Sequence, residues 1–160
     1  MKDEFLSSPR HFLCTRCNRC CAGQPGFVWL SISDLDLLCN YLGMSKREFA
    51  LAFCKPVDIG IKITLSLKEK PNNDCIFLSE QGCSVYEARP TQCRTYPFWE
   101  HLVEEDRLWM EEARECPGIG RGPLVDPEYI VEAILARREN PPLSMEEIPE
   151  LASFEKEYHA

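Results

Sequence analysis

The strongest constraint on this chain is a dense cysteine cluster near its start, where residues 14–21 read CTRCNRCC. A hydrophobic core accepts cysteine as a small apolar residue, but it takes such residues singly, at the period of a helix or strand. Thiolates at C-x2-C spacing are instead the ligands that a soft metal ion or an iron–sulfur cluster requires. The segment therefore predicts a fold organised around metal, and it makes the other cysteines candidates for the remaining ligands.

Length, charge and composition narrow the class of protein. With 160 residues the chain can form a hydrophobic core without a disulfide scaffold. The first residues read MKDEF with no long apolar run after them, so we expect no secretory signal and no membrane-spanning segment. We therefore expect a cytoplasmic protein, in which ten cysteines indicate metal rather than disulfides. The net charge of −8 argues against nucleic acid as a partner.

Hydrophobic periodicity and turn residues predict a small single α+β domain with short helices, a few antiparallel strands and a cysteine-rich, metal-stapled core. The predicted helices cover 34–42 with Ser33 as its cap, a segment opened by the capping box at 45–48 and ended before Pro56, a short turn at 89–94, and 128–139. The predicted strands cover 57–67, a hairpin of 75–78 with 83–86, and 108–110. We expect a lead-in at 1–13, a metal-binding domain at 14–120, and a helical extension at 121–160 packed on that domain.

Position along these elements separates the ten cysteines into two classes. Cys39 and Cys54 lie on the apolar faces of predicted helices, where we interpret them as buried core residues. The other eight lie in predicted loops, turns or strand ends: Cys14, Cys17, Cys20, Cys21, Cys75, Cys83, Cys93 and Cys116. Eight thiols are enough for two four-coordinate sites, or for one cluster with thiols to spare.

Geometry limits how the first cluster can be used. If residues 14–21 were one straight helix, its ends would lie about 10 Å apart. The sulfurs of a tetrahedral four-thiolate site lie on the order of 4 Å apart. Either the segment is looped or its thiols divide between two centres, and the adjacent Cys20 and Cys21, which point in different directions, favour division. A metal bound by the dispersed cysteines would tie the start of the chain to its middle and to Cys116.

Several motifs together resemble the YkgJ-type cysteine-cluster family. They are the CxxCxxCC motif at 14–21, CIFL at 75–78, GCSVYEARPTQCRTYPF at 82–98 and CPG at 116–118. That family is described as a zinc- or iron-chelating domain, and its members are often named Fe–S oxidoreductases. The resemblance covers roughly residues 14–120. It implies that the eight cysteines outside the predicted core are the metal ligands.

Two arginines flank Cys93 in this pattern. Arg89 and Arg94 could contact a bound cofactor, by hydrogen bonds to sulfur or to an anionic substrate beside the metal. They could equally offset thiolate charge or pair with acids such as Glu87 and Glu100. The sequence alone leaves both interpretations open.

Two functions remain open from the sequence. The first is a metal-dependent protein that holds iron as an iron–sulfur cluster, either for electron transfer or for catalysis as an oxidoreductase or transferase. The second is a non-catalytic structural or interaction domain with closed four-thiolate Zn²⁺ sites. Thiolates suit both metals, so the type of ligand does not decide between them. The sequence indicates no particular protein partner.

Overall fold

A computed structural model describes residues 8–160 and confirms the α+β class. The strands are β1 (His11–Phe12), β2 (Cys54–Asp58), β3 (Ile63–Leu67), β4 (Leu78–Ser79), β5 (Gly82–Cys83) and β6 (Ile119–Leu124). The helices are α1 (Ile32–Leu42), α2 (Lys46–Phe53), α3 (Thr91–Thr95), α4 (Glu100–Glu104), α5 (Asp106–Glu112), α6 (Pro127–Glu139) and α7 (Phe154–Tyr158). Every strand pair is antiparallel.

The described residues form two compact units, each with its own hydrophobic core. The first unit contains residues 8–20 and Thr95–Glu139, and the second contains Cys21–Arg94 and Asn140–Ala160. Residues 1–7 of the predicted lead-in lie outside the described residues, whereas 11–12 form β1. The predicted boundaries at 13/14 and 120/121 remain predictions.

A two-stranded sheet joins the two chain segments of the first unit. β1 pairs with β6, so that Phe12 lies opposite Ile119, and the Leu13 amide donates to the Gly118 carbonyl at 3.1 Å. A Cβ on Gly118 would lie 2.4 Å from the Leu13 carbonyl oxygen, so only glycine permits this close approach. The sheet therefore holds the residues before Cys14 against the residues that follow Cys116.

The core of the first unit forms below this sheet from helices α4, α5 and α6. Its buried residues are Phe98, Leu102, Val103, Trp109, Ile119, Ile130, Ala133 and Ile134. The guanidinium of Arg10 is buried over the Trp109 ring and donates to the Val103 carbonyl and to Asp106. The strand predicted at 108–110 is wrong: these residues belong to α5, and Trp109 and Ala113, four residues apart, both pack in the core at the spacing of a helix.

The second unit begins with two helices whose ends follow the predicted signals closely. Ser45 and Glu48 form the predicted capping box of α2, and Gly43 ends α1 in the left-handed conformation. The predicted cap of α1 is wrong by two residues. Ser31, not Ser33, accepts from the Asp34 amide, because the Asp34 carboxylate can then return a bond to the Ser31 amide.

The single strand predicted over 57–67 is a hairpin. β2 and β3 pair in register from Cys54–Leu67 to Asp58–Ile63, and the turn between them has Gly60 at φ 87°. The Gly60 amide donates to the Asp58 carboxylate, which closes the turn. Apolar alternation continued through the turn because Ile59 and Ile61 are exposed there, so the pattern did not reveal the reversal.

The hairpin predicted around 79–82 is present as β4 and β5, shorter than expected. The predicted final helix is α6, and the capping box at 144–147 caps only a short 3-10 turn. The tail after it is docked, because Leu151 and Phe154 are fully buried in the core of the second unit. No helix within residues 8–160 combines the length and apolar character needed to cross a membrane.

Candidate metal centre

The eight cysteines that the sequence predicts as ligands divide evenly between the two units. The first unit contains Cys14, Cys17, Cys20 and Cys116, and the second contains Cys21, Cys75, Cys83 and Cys93. All ten cysteines lie in the described part of the chain, and they are thiols rather than disulfides. The chain passes from one unit to the other between the adjacent Cys20 and Cys21.

Residues 14–21 form a loop rather than a helix. Arg16 and Asn18 lie on either side of Cys17 in the left-handed region, with φ of 53° and 60°, and only Arg19–Cys21 form a 3-10 turn. A left-handed residue reverses the local direction of the chain. Cys14, Cys17 and Cys20 are exposed on this loop. The distance limit of a straight helix therefore does not apply to this segment.

Cys116 is the cysteine of the first unit that lies near the exposed loop, with Cys17 as its neighbour. Its sulfur accepts hydrogen bonds from the backbone amides of Gly118 and Ile119, and Cys17 is near enough for the two sulfurs to repel each other as thiolates. Burial raises the pKa of the Cys116 thiol, and the two amides oppose that rise. The pairing of Leu13 with Gly118 brings Cys14 to the same end of the unit.

Tyr96 connects this cluster to a carboxylate. Its hydroxyl donates to Glu112 at 2.5 Å and lies within hydrogen-bond reach of the Cys116 sulfur. Burial, followed by the bond to Glu112 and by the charges of Cys116 and Cys20, raises the pKa of Tyr96. The hydroxyl therefore stays protonated, and it can donate its one proton either to Glu112, as in this structure, or to the Cys116 sulfur, but not to both. Nothing in the sequence distinguishes Tyr96 from its aromatic neighbours, because its polar partner Glu112 is 16 residues away.

Cys75 has the same local geometry in the second unit. Its sulfur accepts from the amides of Phe77 and Leu78, and its carbonyl accepts from the Leu78 amide at 2.9 Å. Burial raises the pKa of the Cys75 thiol, and the Cys83 thiolate opposes its ionisation as well. The Cys75 amide donates to the Cys21 carbonyl at 2.7 Å. Cys21, Cys75 and Cys83 thus occupy one region of this unit.

Cys93 lies on α3, and a buried carboxylate fixes the start of that helix. Asp34 accepts from the amide and the hydroxyl of Thr91, both at 2.8 Å. The Gln92 side chain accepts from the Trp29 amide and donates to the Phe27 carbonyl. Sequence analysis missed Asp34 and Gln92 as residues that position Cys93. The S-x-x-D spacing at 31–34 was the available signal for Asp34, and Gln92 had none.

The two arginines beside Cys93 make contacts within their own turn. Arg89 donates to the Tyr86 carbonyl at 2.7 Å, and its guanidinium lies 3.5 Å from the centre of the Tyr86 ring. Arg94 donates to the Arg89 carbonyl at 2.7 Å and to the Thr91 hydroxyl at 3.0 Å. These contacts brace the loop that carries Cys93. A role for either arginine in holding a cofactor remains a prediction.

Cys39 and Cys54 are buried in the core of the second unit, as predicted, although Cys54 begins β2 instead of ending a helix. Burial raises the pKa of Cys39 to about 11, with Asp36 adding to the rise. Burial raises the pKa of Cys54 further. Both side chains are therefore neutral thiols near pH 7, which is the form that packs in a core and does not ligate metal.

The donor set fits a soft metal. Within residues 8–160 no group of three or more His, Cys, Asp or Glu side chains is already assembled to hold an ion. The thiols of Cys17 and Cys116, and those of Cys75 and Cys83, nevertheless lie in mutual electrostatic contact. Thiolates at such positions suit Zn²⁺ and iron–sulfur clusters. Binding would draw the exposed loop cysteines inward, which couples metal binding to local folding.

Comparison with known proteins identifies a family but no structural relative. No solved structure matches the chain. A family model described as "Putative zinc- or iron-chelating domain" matches residues 13–117, which include all eight of the predicted ligand cysteines. This match extends over more than half of the chain, and the protein therefore belongs to the CxxCxxCC family of zinc- or iron-chelating domains.

Proposed function

We propose that the protein binds metal through eight cysteine thiolates, and that the bound metal is iron in iron–sulfur clusters. The proposed ligands are Cys14, Cys17, Cys20, Cys21, Cys75, Cys83, Cys93 and Cys116. The observation that carries the proposal is the arrangement at Cys116 and Cys75. Each sulfur accepts two backbone amide bonds while another cysteine of the set lies beside it. Amide bonds to sulfur stabilise the thiolate that a metal requires.

Tyr96 supports iron–sulfur over zinc. An iron–sulfur cluster supplies one-electron transfer, and hydrogen bonds to its sulfurs raise its reduction potential. The Tyr96 hydroxyl lies within hydrogen-bond reach of the Cys116 sulfur and stays protonated, but its single proton bonds to Glu112 in this structure; turning that O–H from Glu112 to the sulfur would supply such a bond. On this basis the protein is an electron-transfer protein or an iron–sulfur oxidoreductase. Arg89 and Arg94 would add positive charge near Cys93.

The count of ligands supports a second candidate, a zinc-binding structural domain without catalysis. Eight thiolates complete two four-coordinate sites and leave no open position for a substrate.

Either group requires reduced thiols, so we also propose that the protein works in the cytoplasm. Its acidic balance, with a net charge of −8, makes nucleic acid an unfavourable partner.

Anaerobic purification followed by metal analysis and an absorption spectrum decides between the two candidates. A brown protein that contains iron and acid-labile sulfide supports the cluster, whereas a colourless protein with about two zinc ions per chain supports the structural domain. Anaerobically purified protein that contains neither metal, and that takes up neither on reconstitution, would refute metal binding itself.

The buried cysteines provide the matched control. Cys39→Ala and Cys54→Ala each remove one thiol from the core and none from the proposed ligands. We expect both variants to keep the full metal content of the wild type, with circular dichroism confirming that they fold. Loss of metal in a folded Cys39→Ala or Cys54→Ala protein would overturn the assignment of the eight ligands.

A further inference from the structure

We propose that the eight ligands form two separate four-thiolate centres, one within each compact unit. The first centre consists of Cys14, Cys17, Cys20 and Cys116, and the second of Cys21, Cys75, Cys83 and Cys93. The inference rests on the proposed function, and it assigns each ligand to a centre. The CxxCxxCC motif then serves two centres, and its last two cysteines belong to different ones.

Contacts inside the first unit link the cysteines of its set in pairs, although no three of them are already assembled among the described residues. The Cys116 sulfur interacts with Cys17, and the Tyr96 hydroxyl beside it interacts with Cys20. The bond from the Leu13 amide to the Gly118 carbonyl places the residue before Cys14 two positions from Cys116. Each of the three loop cysteines is therefore linked to Cys116 through a contact within the unit.

Contacts inside the second unit gather the other set. The Cys75 thiol interacts with Cys83, and the Cys75 amide donates to the Cys21 carbonyl. Next to these residues, the Asp74 carboxylate accepts from the Gly23 amide at 2.9 Å. Cys93 lies on the turn that Asp34 and Gln92 anchor within the same unit. Cys83 itself lies in the hairpin of β4 and β5.

The two units use the same turn to present one cysteine each. At Cys75 and at Cys116, the amides two and three residues later donate to the sulfur, and the third amide also bonds to the cysteine carbonyl. In both units a strand follows this turn at once, β4 in one and β6 in the other. A repeated amide-to-sulfur turn in each unit is the arrangement expected if each holds its own metal.

The backbone at Cys20 and Cys21 separates their side chains. Both lie in the 3-10 turn Arg19–Cys21, in which successive residues are rotated by about one third of a turn. Their Cβ atoms therefore point in directions about 120° apart. The sulfurs of one tetrahedral centre must converge to about 4 Å. Adjacent cysteines in this turn are suited to two different centres.

A rival division groups the cysteines by sequence. Because residues 14–21 are looped, Cys14, Cys17, Cys20 and Cys21 could instead form one centre, and Cys75, Cys83, Cys93 and Cys116 the other. A third possibility is one cluster that needs all eight thiolates. Double substitutions in the full chain distinguish the three arrangements. Two substitutions within one centre leave the other centre intact, whereas one substitution in each centre destroys both, and the three arrangements differ in which double variants keep a centre.

The experiment uses four cysteines, Cys17, Cys21, Cys83 and Cys116, changed to serine two at a time. The reduced, metal-free proteins are titrated anaerobically with Co²⁺, whose thiolate charge-transfer and tetrahedral absorption bands report the centres formed. We expect the wild type to bind about two Co²⁺ per chain, one for each four-thiolate site. The pairs Cys17→Ser/Cys116→Ser and Cys21→Ser/Cys83→Ser should each keep one tetrathiolate centre with unchanged affinity.

The remaining pairs should damage both centres. We expect Cys17→Ser/Cys21→Ser and Cys83→Ser/Cys116→Ser to retain no tetrathiolate Co²⁺ spectrum. If these two pairs each keep one centre while the first two pairs lose both, the rival division is correct. If every pair loses both centres alike, the thiolates form a single cluster, and the division between units is wrong.

Folding and metal binding are controlled separately. The double variant Cys39→Ala/Cys54→Ala also lacks two thiols and should bind as the wild type does. In the folded Cys17→Ser/Cys116→Ser and Cys21→Ser/Cys83→Ser proteins, alkylation and mass spectrometry with Zn²⁺ present should find the four cysteines of the intact set protected. Protection of cysteines from both sets in the Cys17→Ser/Cys116→Ser protein would overturn the inference. A wild type that binds neither Co²⁺ nor Zn²⁺ would refute the proposed function, whereas binding lost in every pair refutes only the division.

Discussion

The two units differ in how far they hold their cysteines in place before metal binds. In the first unit, Cys14, Cys17 and Cys20 are exposed on a loop with two left-handed residues, and only Cys116 is half-buried. In the second unit, all four proposed ligands are half-buried, and one of them, Cys83, lies in the hairpin of β4 and β5. The cores differ in the same sense: among the described residues, eight hydrophobic side chains form the first core and seventeen form the second.

This difference indicates what metal would contribute to each unit. A small core with exposed ligands gains a large share of its folding free energy from the ion that gathers them. A larger core that already fixes its ligands depends on metal less, because burial supplies most of its stability. We therefore expect the first unit to fold only when metal is bound. The second unit should keep most of its folded structure without metal.

Removing the metal should have the largest effect of any change considered. In zinc-finger peptides the ion contributes about 10–16 kcal/mol of folding free energy, so an unsupported unit unfolds without it. We expect chelation to abolish hydrogen-exchange protection at the amides of Leu13 and Val125, which bond across the first sheet. The amides of Leu30 and Leu67, which bond to Leu65 and Val28 in the second unit, should stay protected.

If chelation removes hydrogen-exchange protection from all four amides together, the two units depend equally on metal, and the proposed difference between them is wrong. It also fails if Leu30 and Leu67 lose protection first. Adding Zn²⁺ or reconstituting the cluster should restore protection at Leu13 and Val125, which excludes irreversible damage as the cause.

A substitution in the larger core should produce the opposite pattern. Phe154 is fully buried in the second unit, and Phe154→Ala should lower the free energy of unfolding of that unit by about 3–5 kcal/mol. Phe27→Ala is the matched control, because Phe27 is 47% exposed in the same unit and should cost much less. Denaturant unfolding followed by hydrogen exchange measures both. An equal loss of unfolding free energy in the two variants would contradict the inference that the core around Phe154 stabilises the second unit.

The sequence predicted those parts of the fold whose determinants are local. The caps at Ser45 and Gly43 depend on a few neighbouring residues, and the division of ten cysteines into two buried and eight others depended only on periodicity. The pairing of β1 with β6 was missed, because β1 has two residues and its partner lies more than a hundred residues later. A strand of two residues is too short to show a hydrophobic periodicity.

Prediction of the candidate metal centre from the sequence is limited in the same way, to features with local determinants. The identity of the eight candidate cysteines follows from their spacing, but their distribution between two units depends on tertiary structure. Tyr96 and Glu112 meet only because α5 returns to the segment before α4. Asp34 reaches Thr91 across 57 residues of chain. Contacts of this kind leave no trace in a single sequence.

Alkaline pH should weaken the second unit through a buried thiol. The pKa of Cys39 is raised from 9.0 to about 11, so the folded state holds this proton more tightly than the unfolded state. The resulting stability is complete below pH 9 and is lost as the pH rises toward 11, a change of about 2.7 kcal/mol for two pKa units. As the pH rises from 9 to 11, the wild type should therefore lose unfolding free energy relative to Cys39→Ala, which has no thiol to ionise at this position. A difference that stays constant with pH would contradict the burial of Cys39.

The smallest expected effect is local to α2. Ser45 accepts from the Glu48 amide and its own amide donates to the Glu48 carboxylate, so Ser45→Ala removes one half of the capping box. We expect a loss of about 1 kcal/mol, the usual cost of deleting a serine cap. Ser45→Thr should restore most of it, because threonine also caps helices. Metal content should not change in either variant, because no proposed ligand lies on α2. A loss of bound metal in Ser45→Ala would show that the second unit fixes its ligands less firmly than its larger core implies, and it would narrow the contrast between the two units.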